Sequence, residues 1–493
     1  MNRGLANRLL AVAVAGMVAL WGLFWWYSGL RTIPSGVRLG DWNIGGLTES
    51  ELRLEWQARL ARLYGSAIRL ELPGEPPAEK PLSWSALGLT ADEERLSELL
   101  GYWFDGSRLS KAKRRLHMRG AVIPLELRLS EEALGKTLAA EWPDRLNPPT
   151  RNAERVVTKD DRVEYRPEQR AMAIDAKALA ERVVAAGHAQ LQAVFRQNAD
   201  TAPDAPLQPP AVQVPLRELV PEVTAERLKA QGVERKIAEF STAFPGSSPG
   251  RIHNIQATAG MIHDMLLAPG QRFDYAAVIR ETERRFGFRE APVIYNGKLV
   301  QGIGGGICQV STTLYNAVLR AGLQVDERRN HSLPVSYVPL GQDATFASGY
   351  INFAFTNNTG HYLLIRTESD GARVAVKLFG TMPESVTYEI ESIVLQTIEP
   401  PVKYVRNPAL AAGEQAVVQQ GKPGYVVETY RIRKENGVVA GKERVSKDTY
   451  RAQPSLIAVR GGEGAPDSGD VPPGGVRSII EDGVSGPVLP KGR

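Results

Sequence analysis

The sequence is almost without cysteine, since Cys308 is the only one among its 493 residues. A single thiol cannot form an intramolecular disulfide, and it cannot form a multi-cysteine metal site. The folded parts of the chain must therefore be stable without covalent cross-links. In an oxidising compartment a lone thiol is a liability unless it is buried or used chemically.

The sequence also lacks a strong excess of either charge and a histidine pattern suited to metal. The formal net charge is +5, which gives no indication of nucleic-acid binding. A mildly basic protein outside the cell would instead be attracted to anionic wall polymers or lipid head groups. His253, His263 and His361 do not have metal-ligand spacing. We therefore expect no nucleic-acid partner, no metal and no cofactor.

One long apolar run is present at residues 9–30, and it carries no charged residue. About 20 apolar residues cross a bilayer, and the stretch 21–27 is rich in the aromatic residues of membrane interfaces. A cleaved signal peptide is the alternative, but its apolar core is usually shorter and ends in small residues. Because Arg3 and Arg8 precede the run, residues 1–31 are predicted to be a cytoplasmic stub and a single-pass membrane anchor, with the bulk of the chain outside the cell.

Beyond this transmembrane helix, the sequence predicts an α+β multidomain protein with a small all-β module near its C-terminus. Residues 32–192 alternate helix and strand patterns, and residues 193–239 include a segment rich in Pro and Ala that is predicted to be a linker. Residues 240–385 form a second α+β block. Residues 391–460 alternate strand and turn signals, including an Asn-Gly pair typical of a hairpin turn. The tail at 461–493 is rich in Gly and Pro and is predicted to be disordered.

The stretch GIGGGICQVSTTLYNAVLRAG, residues 302–322, contains the single cysteine. Apolar residues after Cys308 recur at helical spacing, so Cys308 is predicted to lie at or just before a helix N-terminus. The N–H groups and dipole of such a terminus favour a thiolate. The preceding glycines allow close approach of a ligand and could expose amides to an oxyanion. The candidate ligand-binding residues are Gly304, Gly305, Gly306, Gln309, Ser311 and Thr312.

His331 and Asp343 follow Cys308 in an order that suits the base and the orienting acid of a cysteine nucleophile. His331 begins an alternating stretch that ends at Tyr337 and is predicted to be a strand, and PLGQD then predicts a turn that presents Asp343. By fold-level analogy, papain-like and transglutaminase-like enzymes also place a cysteine on a helix and a later histidine on a strand. In the alternative interpretation the cysteine is a buried small hydrophobe, the histidine bonds a carbonyl, and the aspartate makes the turn.

Two long stretches, FREAPVIYNGKLVQGIGGGICQVSTTLYNAVLRAGL and ERRNHSLPVSYVPLGQDATF, resemble the VanW family, which is named for an accessory protein of glycopeptide-resistance clusters. The resemblance extends from about Arg251 to FTNNTGHYLLIR. The upstream segment VEYRPEQRAMAIDAKALAERV is similar to the peptidoglycan-binding domain that often precedes VanW domains, although Ala171 stands where glycine is common. Residues 391–460 resemble the G-five (G5) module of wall-associated proteins, with glycines at Gly413, Gly421, Gly424 and Gly437.

The resemblance implies a membrane-anchored cell-envelope protein that binds peptidoglycan and acts in wall maintenance or in the response to glycopeptides. The expected partners are peptidoglycan or other anionic wall polymers, and the lipid bilayer through residues 9–30. The family does not bring an established reaction with it, so whether the chain is an enzyme stays open. The alternative to a wall-binding scaffold is a cysteine-dependent amidase or transpeptidase-like enzyme that acts on peptidoglycan stem peptides through Cys308, His331 and Asp343.

Overall fold

The computed structural model of the chain describes residues 3–76, 81–196, 207–295, 298–461 and 480–484. The chain forms two compact units. Unit 1 comprises residues 1–151 and 169–222, and unit 2 comprises residues 152–168 and 223–493. Both units contain helices and strands, which confirms the predicted α+β class.

The helices of the described residues are α1 (Arg3–Gly29), α2 (Glu49–Gly65), α3 (Glu93–Phe104), α4 (Arg108–His117), α5 (Glu131–Glu141), α6 (Pro143–Leu146), α7 (Ala176–Arg196), α8 (Ala225–Ala230), α9 (Pro249–Ile262), α10 (Tyr275–Phe286) and α11 (Ile307–Arg320).

The strands of the described residues are β1 (Arg38–Leu39), β2 (Trp42–Asn43), β3 (Ala67–Glu71), β4 (Leu82–Ser83), β5 (Leu89–Ala91), β6 (Val122–Ile123), β7 (Leu127–Leu129), β8 (Glu154–Val157), β9 (Val163–Arg166), β10 (Ala171–Ile174), β11 (Ala211–Gln213), β12 (Leu216–Leu219), β13 (Arg235–Ala243), β14 (Met265–Leu267), β15 (Arg272–Asp274), β16 (Glu290–Tyr295), β17 (Lys298–Ile303), β18 (Gln324–Glu327), β19 (Ala354–Thr356), β20 (Leu363–Ser369), β21 (Arg373–Gly380), β22 (Val386–Ile398), β23 (Val402–Arg406), β24 (Gln415–Gln419), β25 (Gly424–Glu435), β26 (Val438–Tyr450), β27 (Ser455–Val459) and β28 (Ile480–Glu481).

Unit 1 packs short sheets and helices around one apolar core. Its three-stranded sheets have the orders β2-β1-β6 and β11-β3-β4, and two further strand pairs join β5 to β7 and β10 to β12. The helix α2 begins with the capping box that the sequence pattern indicates: the Thr48 hydroxyl accepts from the Glu51 N–H, and the Glu51 carboxylate accepts from the Thr48 N–H. Trp84 and Trp103 are fully buried in this core.

The helix α1 contains the predicted apolar run. Its stretch Asn7–Gly29 has 23 residues, and its most apolar 18-residue window has no buried residue. Its length and composition allow a membrane span, and they are equally those of a signal sequence.

The predicted linker at 193–239 differs from the structure in its described part. The helix α7 continues to Arg196, and β11, β12, α8 and the start of β13 all lie within this segment. Residues 197–206 lie outside the described residues. The strand β11 pairs in parallel with β3, and β12 pairs with β10. Because these ladder partners are distant in sequence, a segment rich in Pro and Ala carries little local signal of them.

Unit 2 is built around α11, which is buried at every position from Ile307 to Leu319. This helix packs on the four-stranded antiparallel sheet β13-β21-β20-β14 and against α9. Side chains on every side of the helix are buried, as expected for a helix that other elements enclose. The unit therefore places Cys308 inside the protein core, at the start of its most enclosed helix.

The last part of unit 2 is an all-β module that runs from β22 to β27. Its two sheets have the orders β22-β25-β26 and β23-β27-β24. The hairpin between β25 and β26 turns at Asn436 and Gly437, whose φ angles are 50° and 80°. Two consecutive positive φ angles are what a type I′ turn requires, so the hairpin predicted from the Asn-Gly pair is confirmed. The module begins at Val386, slightly before the predicted boundary.

A short part of the predicted disordered tail has a defined structure. Strand β28 pairs antiparallel with β16, so that Glu481 lies opposite Ile294 and Ile480 lies opposite Tyr295. The prediction of disorder is therefore wrong for residues 480–484, because composition does not reveal the open strand edge that they occupy. Residues 462–479 and 485–493 lie outside the described residues.

The close approach of the glycine stretch to β16 gives a stability prediction. A Cβ on Gly305 would lie 2.3 Å from the Pro292 carbonyl oxygen, whereas a Cβ on Gly260 in α9 would meet nothing within 4 Å. We expect Gly305→Ala to lower the free energy of unfolding by about 1–3 kcal/mol through overpacking. Gly260→Ala is the matched control and should raise it by about 0.5–1 kcal/mol. Urea denaturation measures both, and equal behaviour of the two variants would contradict the packing argument.

Candidate functional site

Cys308 is the second residue of α11, as the sequence predicts. The helix is preceded by Gly304 and Gly306, whose φ angles are +92° and +107°, so both positions favour glycine. Gly305 lies between them against β16, where no side chain fits. These glycines shape the entry of the chain into the helix and leave the backbone amides at its N-terminus free to bond an acceptor.

The sulfur of Cys308 is buried but its surroundings are polar. The Phe346 N–H donates to Sγ at 3.0 Å, and the Thr345 hydroxyl lies 3.6 Å from it. The thiol is 3.5 Å from the Phe346 carbonyl oxygen. A cysteine that served only as a small hydrophobe would be packed by hydrocarbon, whereas here an amide proton is directed at the sulfur.

Two of the predicted ligand-binding residues hold the backbone that lies beside the sulfur. The Ser311 hydroxyl donates to the Ala344 carbonyl oxygen at 2.6 Å, and the Ala344 N–H donates to the Thr312 hydroxyl at 2.9 Å. Both side chains are completely buried. The prediction that Ser311 and Thr312 line a binding groove is therefore wrong: they fix the segment 343–346 to α11.

The structure brings Cys308, His331 and Asp343 together, and all three side chains are buried. The Asp343 Oδ2 lies 2.7 Å from His331 Nδ1, and the His331 backbone N–H donates to the same oxygen at 2.7 Å. The other ring nitrogen, Nε2, is buried without a hydrogen-bond partner among the described residues. His331 and the thiol are nevertheless close enough to shift each other's pKa. The thiol, the imidazole and the carboxylate thus follow one another in space as the nucleophile, the base and the orienting group of a cysteine enzyme do.

The histidine is held by a loop and not by the predicted strand. Residues 331–337 form no strand, and Pro334 and Pro339 remove two N–H donors from the segment. The predicted turn is present at Gly341, which has a φ of +82°, and the Gln342 N–H donates to the Pro339 carbonyl oxygen at 3.2 Å. The turn returns the chain so that Asp343 lies beside His331.

The second oxygen of Asp343 is bound by the β-module. The Tyr450 hydroxyl at the end of β26 donates to Asp343 Oδ1 and accepts from the Gly341 N–H at 2.7 Å. Arg328 lies 3.5 Å from the same carboxylate oxygen and forms a two-pronged ion pair with Asp448 of β26 at 2.6 and 2.7 Å. All of these side chains are almost completely buried. The β-module is therefore part of the site.

The electrostatics of the site favour a charged histidine–aspartate pair. Although burial opposes it, the hydrogen bond that His331 donates to Asp343, together with the nearby thiol, raises the pKa of His331 well above its ordinary value. Burial likewise opposes the ionisation of Asp343, yet its bonds with His331 and the charge of Arg328 lower its pKa to about 2. Burial and the negative charge of Asp482 raise the pKa of the Cys308 thiol, against the opposite effect of His331. The Asp482 carboxylate thus favours, and the His331 imidazole opposes, protonation of the sulfur.

The amides at the start of α11 bind a carboxylate from the tail. The Gly306 N–H and the Cys308 N–H donate to Asp482 Oδ1 at 3.0 and 2.8 Å. Arg251 lies 3.3 Å from Asp482 Oδ2, and its other nitrogen donates to the Gln309 amide oxygen at 2.9 Å. Two amides directed at one oxygen have the geometry that stabilises an oxyanion.

A cleft of about 1080 Å³ adjoins these groups. Its wall includes Gln309 and Asp482, and three cations, Arg251, Lys422 and Arg451, lie around it. The loop after His331 separates the cleft from the three buried side chains, since the lining includes Leu333, Pro334, Val335, Ser336 and Tyr337. Among the described residues, no group of three or more His, Cys, Asp and Glu side chains is placed to hold a metal ion.

Sequence reasoning missed four residues of this site: Arg328, Asp448, Tyr450 and Asp482. Arg328 is only three residues before His331, so its position near the site had a local signal. The others come from a different module or from the tail, and a sequence pattern gives no indication of such long-range contacts.

Comparison with known proteins assigns the domains. Residues 250–379 match the family described as VanW like protein, and residues 389–462 match the G5 domain. The uncharacterized protein YoaR of Bacillus subtilis (strain 168) is 38% identical over 173 residues, which are 35% of this chain and 57% of that protein. The vancomycin B-type resistance protein VanW of Enterococcus faecalis (strain ATCC 700802 / V583) is 25% identical over 153 residues, which are 30% of this chain and 56% of that protein.

A solved G5 domain is also similar to the module. The IgA1 protease G5 domain structure is 33% identical, covers 15% of this chain and 86% of that chain, and has a TM-score of 0.13, which is too low to carry a structural argument. The chain spans little more than half the length of the curated relatives that it matches.

The chain is thus a multidomain α+β protein in which an all-β module completes a buried cysteine–histidine–aspartate cluster. The cluster lies in a VanW-like domain and the module is a G5 domain. This pair of domains indicates a cell-wall-associated protein.

The contribution of the G5 domain to the site can be measured by removing one hydroxyl. Tyr450→Phe deletes the donor to Asp343 and the acceptor of the Gly341 N–H, and leaves buried groups unsatisfied. We expect a loss of about 1–3 kcal/mol in the free energy of unfolding. The half-exposed Tyr404 provides the control, since Tyr404→Phe should change stability by less than about 0.5 kcal/mol. An unchanged urea midpoint for Tyr450→Phe would show that the interaction is not formed.

The raised pKa of His331 predicts a pH dependence of stability. When folding raises the pKa of a group, the resulting stabilisation is fully present at every pH below the pKa of the unfolded state, which is about 6.5 for histidine. That stability is lost as the pH rises through the folded pKa. The difference in melting temperature between the wild type and His331→Gln should therefore be largest near pH 6 and should shrink at alkaline pH. The exposed His117→Gln is the control and should show no such trend; a difference that grows with pH would contradict the assignment.

Proposed function

We propose that the VanW-like domain is a cysteine-dependent amidase or transpeptidase-like enzyme that acts on peptidoglycan stem peptides, in a protein held at the cell wall. The observation that carries this proposal is the buried Asp343–His331 hydrogen bond of 2.7 Å beside the only thiol of the chain. A carboxylate bonded to Nδ1 holds the imidazole in one orientation and leaves Nε2 to exchange a proton with the nucleophile, as nucleophilic catalysis requires.

The reaction that these groups support is acyl transfer through a thioester. The Cys308 thiolate attacks the carbonyl carbon of an amide, and the Gly306 and Cys308 amides stabilise the resulting oxyanion. The His331 imidazolium donates its Nε2 proton to the amine, the C–N bond breaks, and the amine leaves. The neutral imidazole then takes a proton from water, or from an acceptor amine, which attacks the thioester and releases the thiolate. The imidazolium–thiolate pair is thereby restored.

The scaffold function is the second candidate, and the presence of the G5 domain favours it. G5 domains are associated with cell-wall binding, which supports peptidoglycan or another anionic wall polymer as the partner. Unit 1 is proposed to add wall contacts, and residues 9–30 of α1 to anchor the chain in the cell membrane with its bulk outside. Binding and catalysis are compatible, because the wall would hold the substrate near the thiol. The similarity to a vancomycin resistance protein favours a role in wall maintenance or in the glycopeptide response.

The experiment separates binding from catalysis. Detergent-solubilised full-length protein is incubated with purified peptidoglycan, and both co-sedimentation and the stem-peptide products are measured. Cys308→Ala should sediment with the wall as the wild type does, but should form no products. His331→Ala should lower the rate by about 100-fold or more, while His117→Ala should not.

Three outcomes would contradict parts of the proposal. Products that form equally with Cys308→Ala would exclude the thiol as nucleophile. Absence of sedimentation by every variant would exclude the wall-binding function. If the wild type sediments but forms no products, while its tail segment 480–484 has been displaced, only the scaffold function would remain.

A further inference from the structure

The segment 480–484 extends a sheet beside the candidate site. Strand β28 pairs antiparallel with β16, whose other neighbour is β17. The Val484 N–H also donates to the Ile303 carbonyl oxygen at 2.9 Å. Without this segment β16 would be an edge strand, and an open edge is the usual docking place of an extended peptide.

The same segment places a carboxylate at the N-terminus of α11. Asp482 is buried, and it accepts hydrogen bonds from two amides while its other oxygen faces the Arg251 guanidinium. A helix N-terminus favours an anion through its free N–H groups and its dipole. The Cys308 amide is one of the donors, so the carboxylate lies where the oxyanion of an acyl-transfer reaction would form.

The fit of this segment is close and involves both sides of the groove. A Cβ on Gly483 would lie 2.6 Å from a Val293 methyl carbon and 2.9 Å from the Ile303 carbonyl oxygen. The Glu481 carboxylate accepts from the Ser332 N–H at 2.9 Å and from its hydroxyl at 3.0 Å. Glu481 thereby links the segment to the residue that follows His331.

A second observation indicates that the groove receives a ligand. The Tyr337 hydroxyl in the cleft wall is buried without a hydrogen-bond partner among the described residues, and so is His331 Nε2, which lies behind the same loop. The Lys422 and Arg451 side chains line the same cleft, and no ion pair is formed by either within the described part of the chain. Unpaired polar and cationic groups around one cleft suit a polar, anionic ligand.

We propose that the groove formed by β16, the N-terminus of α11 and the loop after His331 is the substrate site for an extended peptide that carries a carboxylate, and that residues 480–484 occupy it in cis. This inference rests on the proposed function, because it takes Cys308 as the nucleophile. The segment resembles a bound substrate: its backbone adds a strand, and Asp482 Oδ1 occupies the position of the scissile carbonyl oxygen at the Gly306 and Cys308 amides. Lys422 and Arg451 line the cleft for the carboxylate of the substrate. Peptidoglycan stem peptides have this chemistry, since they are short peptides with carboxylates.

Release of the segment would change the thiol in two ways. It would uncover the N-terminus of α11, and it would remove the negative charge of Asp482, which together with burial raises the pKa of Cys308. Both changes increase the reactivity of the sulfur. A substrate must therefore displace the segment, and place an uncharged carbonyl oxygen at the two amides, before the thiol can react.

The test uses the only thiol of the full-length protein as its own probe. The rate of alkylation of Cys308 by iodoacetamide is measured at pH 7.5 by intact mass. Gly483→Leu should displace the segment sterically, and Asp482→Ala should remove its anion. Each should react about tenfold faster than the wild type, because the sulfur loses the nearby charge that raises its pKa. Asp467→Asn, another acidic residue of the C-terminal segment, is the matched control and should react at the wild-type rate.

A synthetic peptide tests the binding site directly. The peptide SIIEDGVSG, residues 478–486, should slow the alkylation of Gly483→Leu, and the same peptide with Asn in place of its Asp should do so much less. Hydrogen exchange of the segment that contains Gly306 and Cys308 should increase in both variants and decrease again with the peptide. This readout stays informative if a variant loses stability, because global unfolding would increase exchange throughout the chain.

The outcomes distinguish this inference from the proposed function. Wild-type alkylation rates for both variants, or no effect of the peptide, would overturn the inference while the catalytic cluster could still act. Faster alkylation that is unchanged by a further His331→Ala substitution would support the groove but contradict the cysteine–histidine mechanism. Alkylation that slows with increasing protein concentration would show that the segment binds a second copy, and would overturn occupation in cis.

Discussion

The buried carboxylate of Asp343 is the constraint on which the rest of unit 2 depends. An ionised group removed from water is very costly unless charges and hydrogen bonds replace the solvent. Here the replacement comes from His331, Arg328 and Tyr450, which belong to the loop before the turn and to the last strand of the G5 hairpin. The G5 domain is consequently built into the VanW-like domain, and a change in one domain is transmitted to the histidine in the other.

A second constraint acts at the start of α11. A helix terminus enclosed by protein leaves N–H groups that need an acceptor. The glycines of residues 302–306 bring these amides close to β16, and Asp482 supplies the acceptor. The start of the buried helix thus directs two amide donors at Asp482, and its thiol lies near the histidine–aspartate pair.

Local patterns allowed correct prediction where the interactions are local. The helix that begins at Cys308, the capping box at Thr48 and the hairpin at Asn436 all depend on residues within a few positions of one another. The order of Cys308, His331 and Asp343 suggested a triad, and the structure brings the three side chains together. Their catalytic role stays a prediction.

The errors have physical causes in long-range contacts. Ser311 and Thr312 looked like groove residues because they are polar, but their hydroxyls bond the backbone at Ala344, which no helical pattern reveals. The alternating stretch after His331 suggested a strand, but prolines and the absence of a partner strand keep it a loop. The contributions of Tyr450 and Asp482 come from more than 100 residues away along the chain, and the composition around Asp482 is that of a disordered tail.

The central claim is that the sulfur of Cys308 forms a covalent acyl intermediate with a peptide. The most direct measurement is intact-mass and peptide-mapping spectrometry of Gly483→Leu protein that has been mixed with stem-peptide fragments and quenched in acid, which preserves thioesters. The account predicts an added mass that equals the acyl part of the substrate, located on Cys308 and removed by hydroxylamine. An unmodified Cys308 in protein whose groove has been shown to be open would contradict the account.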